Sequence, residues 1–139
     1  MRTFALAVAA VVTAHTLFGS ASAETIECSG AHKPQRVAEL IFGRGVGGPI
    51  EISEAQWTHF VDTEITPRFP DGLTVYDATG QWRDKTSNKI TRETSKIVLI
   101  VLSGRPEDLS GLNEIAEAYK RTFGQQSVGM IVRPACVSF

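Results

Sequence analysis

The sequence PRFPDGLTVYDATGQWR at residues 67–83 separates a predicted helix from a predicted pair of strands. Pro67 disfavours the helical conformation at the residue before it, so it ends the helix. Residues 70–72, Pro-Asp-Gly, form a turn, because proline presets one backbone angle and glycine accepts a positive one. Residues 73–83 then predict a strand with an unusual run of polar and aromatic side chains. If the protein has a chemical site, we expect it on this strand.

Upstream, residues 36–42 alternate between two faces and predict the first strand. The glycine-rich loop at residues 43–49 fits the pattern G-x-G-x-x-G. Because its last glycine does not open a helix, we predict no phosphate-binding loop. The first helix begins at Ser53, where Gln56 three residues later completes a capping box, and it ends at residue 66.

Downstream, a polar loop leads to residues 90–102, a third strand whose second half is apolar on both faces and therefore central in its sheet. Residues 109–123 carry an apolar stripe at helical spacing, and Gly124 stops this second helix. Residues 127–133 predict a fourth strand, which Pro134 ends. The order βαββαβ predicts a ferredoxin-like α+β sandwich, with a four-stranded antiparallel sheet and two helices on one face.

The N-terminal segment has the pattern of a signal peptide. Arg2 gives a positive start, residues 4–12 form an almost unbroken apolar run, and Ala-Ser-Ala precedes Glu24. The run is shorter than the roughly 20 residues that span a bilayer, although a retained anchor helix is the alternative. We expect a cleavable signal peptide at residues 1–23 and a single domain at residues 24–139. The mature protein is then periplasmic or secreted, with no membrane anchor.

The two cysteines, Cys28 and Cys136, both remain after this cleavage. An oxidising compartment favours a bond between them, and two separate thiols are the alternative. In the predicted fold the first and last strands are antiparallel neighbours, which places the two cysteines side by side. The predicted disulfide and the predicted topology therefore support each other.

Two helices cover only one face of a four-stranded sheet. Val37, Ile41 and one side of the third strand must then lie on the other face, together with alternate residues of the fourth strand. An exposed apolar surface of this kind usually marks an interface. We predict a homodimer through this open sheet face, or a ligand cavity on it. Coverage by loops and the N-terminal segment is the alternative.

Glu39 is an acid within an otherwise apolar strand. A buried carboxylate is costly unless it is paired, and its pKa can shift toward use as a general acid or base. Three cations are candidate partners if Glu39 lies on the open face: Lys96, Arg83 and Arg133. An edge position, where the carboxylate reaches water, is the alternative.

The second group of candidate site residues lies on the second predicted strand. Asp77 and Arg83 share one face, and Tyr76 and Trp82 share the other. An acid and a guanidinium on one face can bind a small polar ligand through paired hydrogen bonds. They can equally form cross-strand ion pairs that only fix the register of the sheet. Trp82 is more typical of a core or an interface than of a ligand platform.

Composition and charge exclude several classes of function. The formal net charge is −1, and cations do not cluster, so we expect no nucleic-acid partner. No zinc pattern is present, and we predict neither a metal nor a cofactor. We therefore predict a ligand-binding or protein-interaction module. The alternative is a cofactor-independent enzyme of the dimeric ferredoxin-like kind, with Glu39 or Asp77 as base and Arg83 as anion anchor.

Two segments, TPRFPDGLTVYDATGQWRD at residues 66–84 and KRTFGQQSVGMIVRPACVSF at residues 120–139, resemble a bacterial family known as domain of unknown function 3574. The resemblance covers nearly all of the predicted mature chain. It implies an exported or lipid-anchored protein, but this sequence lacks the cysteine that lipid attachment requires. The resemblance implies no activity, substrate or catalytic residue.

Overall fold

A computed structural model describes residues 26–45, 51–83 and 88–139. The predicted signal peptide lies outside these residues, as do most of the glycine-rich loop and part of the polar loop after the second strand. The described elements, in chain order, are β1 (Lys33–Gly43), α1 (Glu54–Phe60) with a π-helical continuation (Val61–Ile65), β2 (Thr74–Arg83), β3 (Ile90–Leu102), α2 (Asp108–Phe123) and β4 (Gly129–Val137).

The four strands form one sheet in the order β2-β3-β1-β4, and every neighbouring pair is antiparallel. The ferredoxin-like α+β prediction is confirmed. Strand β3 has the predicted bounds and lies between β2 and β1 in the sheet. Within the described residues, no helix is long and apolar enough to cross a bilayer.

The core lies between one sheet face and the two helices. Phe42 of β1 stands at its centre, edge-on to Trp57 of α1 and to Tyr119 of α2, with ring centroids 5.2 and 4.7 Å away. Such edge-on aromatic pairs contribute about 0.5–1.5 kcal/mol each beyond the area they bury. The Tyr119 hydroxyl donates to the Gly43 carbonyl at 2.9 Å, so its polar atom is satisfied inside the core.

The start of α1 follows its sequence signals. The Gln56 amide donates to Ser53 Oγ, and the Ser53 amide donates to Gln56 Oε1, which confirms the capping box. The helix does not continue as a regular α-helix to residue 66. Its last turn widens, and the Thr66 amide donates to the Val61 carbonyl five residues back. Ile65 is fully buried in this widened turn.

The prediction that Pro134 ends the fourth strand is wrong. Strand β4 begins at Gly129 and continues through Pro134, opposite Arg36, to Val137. Proline is tolerated there because β4 is an edge strand, which needs backbone hydrogen bonds on one side only. Strand β1, which pairs with β4, is also longer than predicted, since it covers Lys33–Gly43 instead of residues 36–42.

The Cys28–Cys136 disulfide is present, with the two Cα atoms 5.6 Å apart. Cys136 lies within β4 rather than after it. The bond fastens the segment before β1 to the neighbouring edge strand, as the predicted topology requires.

Candidate interaction surface

The face of the sheet that carries no helix is called the open face. On β1, the fully buried residues Ala38, Leu40 and Phe42 point into the helical core, so the residues between them point the other way. The strand registers then define the open face as Tyr76 of β2, Ile97, Leu99 and Val101 of β3, Val37, Glu39 and Ile41 of β1, and Ile131 and Arg133 of β4.

Most of this surface is apolar, and its exposure rises toward the edges. Val37, near the middle, is only 6% exposed, whereas Tyr76 on β2 and Ile131 on β4 are 41% and 46% exposed. Met130 and Val132 of β4, and Val128 just before it, face the helices and pack against the core. The alternate residues therefore supply the open face.

Glu39 lies on the open face and is paired. Its carboxylate accepts a hydrogen bond from Arg133 Nη2 at 2.6 Å, across the β1–β4 boundary. The Arg133 side chain is 54% exposed, so this ion pair is partly solvated. Of the three cations considered from sequence, Arg133 is the one that the structure brings to Glu39.

Strands β2 and β3 extend beyond the rest of the sheet. Strand β1 ends at Gly43, opposite Ser95, but the β2–β3 pairing continues to Arg83 opposite Ile90. The paired residues 81–83 and 90–92 are called the arm. Trp82 lies on the arm, on the same side of β2 as Tyr76, and is 42% exposed.

Asp77 and Arg83 share a strand face but do not meet. Asp77 Oδ1 lies 2.6 Å from Lys96 Nζ, whereas Arg83 Nη1 donates to the Asn88 carbonyl and side-chain oxygens at 3.1 and 3.3 Å. The five predicted site residues are therefore distributed over both sides of the sheet. Glu39, Tyr76 and Trp82 lie on the open side, and Asp77 and Arg83 on the helix side.

Sequence reasoning missed an ionic network on the helix side. The side chains of Arg44 and Lys96 are only 10% and 8% exposed, and one carboxylate bridges them. Glu54 Oε1 lies 2.5 Å from Arg44 Nη1, and Glu54 Oε2 lies 3.0 Å from Lys96 Nζ. Asp77 completes the network. It joins the start of α1 to β1, β2 and β3.

This network shifts the pKa values of three of its members, Glu54, Asp77 and Lys96. The hydrogen bond from Lys96 is the main cause that lowers the pKa of both the Glu54 and the Asp77 carboxyl groups. The same contacts, that with Asp77 first, raise the pKa of Lys96 against the opposing effect of burial. All three groups are therefore held in their charged forms, as in a structural ion network.

An open cavity of about 360 Å³ lies at one end of the open face, against Gln35, Thr74, Leu99, Val101 and Phe139 among other residues. None of the five predicted site residues lines it. In the part of the chain that the structure describes, no group of three or more His, Cys, Asp or Glu side chains could hold a metal ion.

Comparison with known proteins identifies one family and several solved structures with a similar fold. Residues 37–139 match the model of a family described as "Protein of unknown function (DUF3574)". No curated protein matches the sequence significantly.

Among solved structures, a phage SAM lyase in complex with S-methyl-5'-thioadenosine has a TM-score of 0.59 at 15% identity, covering 84% of this chain and 97% of that chain. The apo form of a phage SAM lyase has a TM-score of 0.56 at 17% identity, covering 83% and 92%. CutA from Synechococcus elongatus has a TM-score of 0.48 at 9% identity, covering 78% and 81%. At these identities the likeness shows a shared fold alone.

Proposed function

This chain belongs to the DUF3574 family, and on that premise we propose that it is an exported interaction module that self-associates through its open face. One observation carries the proposal. The side chains of Tyr76, Trp82 and Ile131, each more than 40% exposed, lie on the same side of the sheet around a half-buried apolar centre. Large contiguous apolar surfaces on soluble proteins mark interaction sites.

A second copy of the chain fits this surface by shape and by charge. Two sheets pack face to face about 10 Å apart, which allows their apolar side chains to interdigitate. In a two-fold contact the same surface appears on both copies, so the surface must complement itself. The open face carries an acid and a cation beside its apolar side chains, Glu39 and Arg133, and Glu93 of β3 is a second acid on the same side. Each Glu39 can then approach the Arg133 of the other copy.

The contacts of the other predicted residues favour this interaction module over the alternatives. A small polar ligand held between Asp77 and Arg83 needs the two groups to converge, and their partners, Lys96 and Asn88, hold them apart. A cofactor-independent enzyme with Glu39 or Asp77 as base needs a carboxylate held for proton transfer. Glu39 is paired with Arg133, and Asp77 is kept ionised by Lys96.

The test measures the molar mass of the mature chain by size-exclusion chromatography with light scattering, over a range of concentrations. We expect an assembly for the native sequence and a shift to monomer for Ile131→Lys. The matched control is Leu109→Lys, since Leu109 is 41% exposed on α2, on the helix side, and it should leave the mass unchanged. A monomer at all concentrations, or equal effects of both substitutions, would contradict self-association through the open face.

Export is supported by the signal-like pattern of residues 1–23 and by the Cys28–Cys136 bond, since such bonds persist in oxidising compartments. Mass spectrometry of fractionated bacterial cells should find the chain in the periplasm or the medium, beginning at Glu24. An intact Met1 on cytoplasmic protein would show that the segment is not removed.

A further inference from the structure

We propose that the arm, residues 81–83 and 90–92, reaches around a second copy seated on the open face and anchors it through Trp82. This inference rests on the proposed self-association and adds to it a residue and an element outside the body of the sheet. The occupant is a second copy of this chain.

The length of the arm gives it the necessary reach. The chain that follows β1 still contacts β3 at Thr94 and Glu93, so the unaccompanied part of β3 is residues 90–92. At about 3.4 Å per residue, these three residues extend the ribbon by roughly 10 Å. Packed sheets lie only about 10 Å apart, so a twisted ribbon of this length can contact a copy stacked on the open face.

The side of the arm that carries Trp82 is the same side of the sheet as the open face. Along β2, Tyr76, Ala78, Gly80 and Trp82 follow one another on one side. The two residues in the middle are small, so they leave a trough between two aromatic rings. A Cβ added to Gly80 would lie 3.1 Å from Ser95 Oγ, which shows how closely the neighbouring strand approaches there. Ser95 and Glu93 of β3 lie beside Ala78 and Gly80 on the same side, so a side chain of the second copy that enters this trough meets polar groups along one wall.

Exposure of the large Trp82 side chain to water is energetically unfavourable. It is 42% exposed on a two-stranded ribbon, and isolated ribbons are only marginally stable in water. Tryptophan is among the residues most often found to dominate the energy of an interface. The opposite side of the same arm provides a comparison, because Ile90 there is exposed to a similar extent, 41%.

Tryptophan fluorescence can read this contact directly. The chain has two tryptophans, and Trp57 is 4% exposed in the core, so a soluble quencher such as acrylamide reports mainly on Trp82. We expect the quenchable fraction to fall as protein concentration rises through the range in which light scattering shows assembly. An assembly in which Trp82 remains as quenchable as in the dilute protein would overturn the role of the arm.

A pair of variants measures the contribution of the anchor. We expect Trp82→Ala to weaken association by about tenfold or more, as interface anchors do. Ile90→Ala, on the other side of the arm, should change association less than about twofold. Circular dichroism verifies the fold of each variant, and quenching of the native protein decides the question if Trp82→Ala does not fold.

The outcomes separate the two proposals. If the native chain remains monomeric, self-association and the arm contact both fail. If the native chain assembles, Ile131→Lys disrupts the assembly and Trp82→Ala behaves like Ile90→Ala, the open face is the interface and the arm takes no part in it.

Discussion

Removal of the Cys28–Cys136 disulfide should cost this domain a large part of its stability. The bond closes a loop with a sequence separation of 108 residues, and it joins the segment before β1 to the last described strand. Loop-closure entropy for a loop of this length amounts to about 4–5 kcal/mol at 25 °C. Domains of this size typically have unfolding free energies of about 5–15 kcal/mol, so the reduced domain should be marginally stable.

The assay is urea unfolding of the native protein and of the double variant Cys28→Ser/Cys136→Ser, each with and without a reducing agent. We expect the unfolding free energy to fall by about 4–5 kcal/mol, and the melting temperature by roughly 15–20 °C, in the double variant and in the reduced native protein. The double variant itself should not respond to the reducing agent. A loss below about 1 kcal/mol would refute the reasoning that the bond acts by restricting the unfolded chain.

Two further predictions concern the helix side of the sheet. Tyr119→Phe removes the hydroxyl that donates to the Gly43 carbonyl and should lower the unfolding free energy by about 1–1.5 kcal/mol in a urea titration. Because burial raises the pKa of Tyr119, absorbance should show no ionisation of Tyr119 before alkaline unfolding, and its ionisation in the folded protein would contradict the packing. The pKa values of Glu54 and Asp77 are lowered from 4.5 and 3.8, so their stabilising effect is complete above those values and is lost as pH falls through the lower folded values. Glu54→Gln should therefore flatten the loss of stability below about pH 4.5.

The fold was predictable because its signals are local and mutually consistent. Ser53 and Gln56 specify the start of α1 through their own side chains, and Gly124 ends α2 in the left-handed conformation that glycine favours. The apolar run in β3 specifies a central strand. The disulfide followed from topology and compartment together, since the first and last strands of this fold are neighbours.

The wrong predictions and the contacts that were not predicted also have specific causes. Pro134 ends a strand only where its missing N–H is needed, and β4 is an edge strand that continues through it. Arg44, Glu54 and Lys96 come from three separate parts of the chain, so no spacing along the sequence predicts their contact. Asp77 forms the cross-strand ion pair with Lys96 that was the alternative considered from sequence, whereas the contact of Arg83 with Asn88 was not predicted. Long-range contacts were predictable where the predicted topology placed both residues together, as for the disulfide, and were missed elsewhere.

The most direct test of the account follows the isoleucine methyl groups by NMR in the presence of a soluble gadolinium chelate, which relaxes nuclei that solvent can reach. Ile131 on the open face and Ile90 on the opposite side of the arm have similar exposures, 46% and 41%, whereas Ile100 in the core is 1% exposed. At high protein concentration, we expect the chelate to relax the Ile131 methyl groups almost as weakly as those of Ile100. The Ile90 methyl groups should remain strongly relaxed. Equal relaxation of Ile131 and Ile90 at every concentration would contradict the claim that a second copy covers the open face.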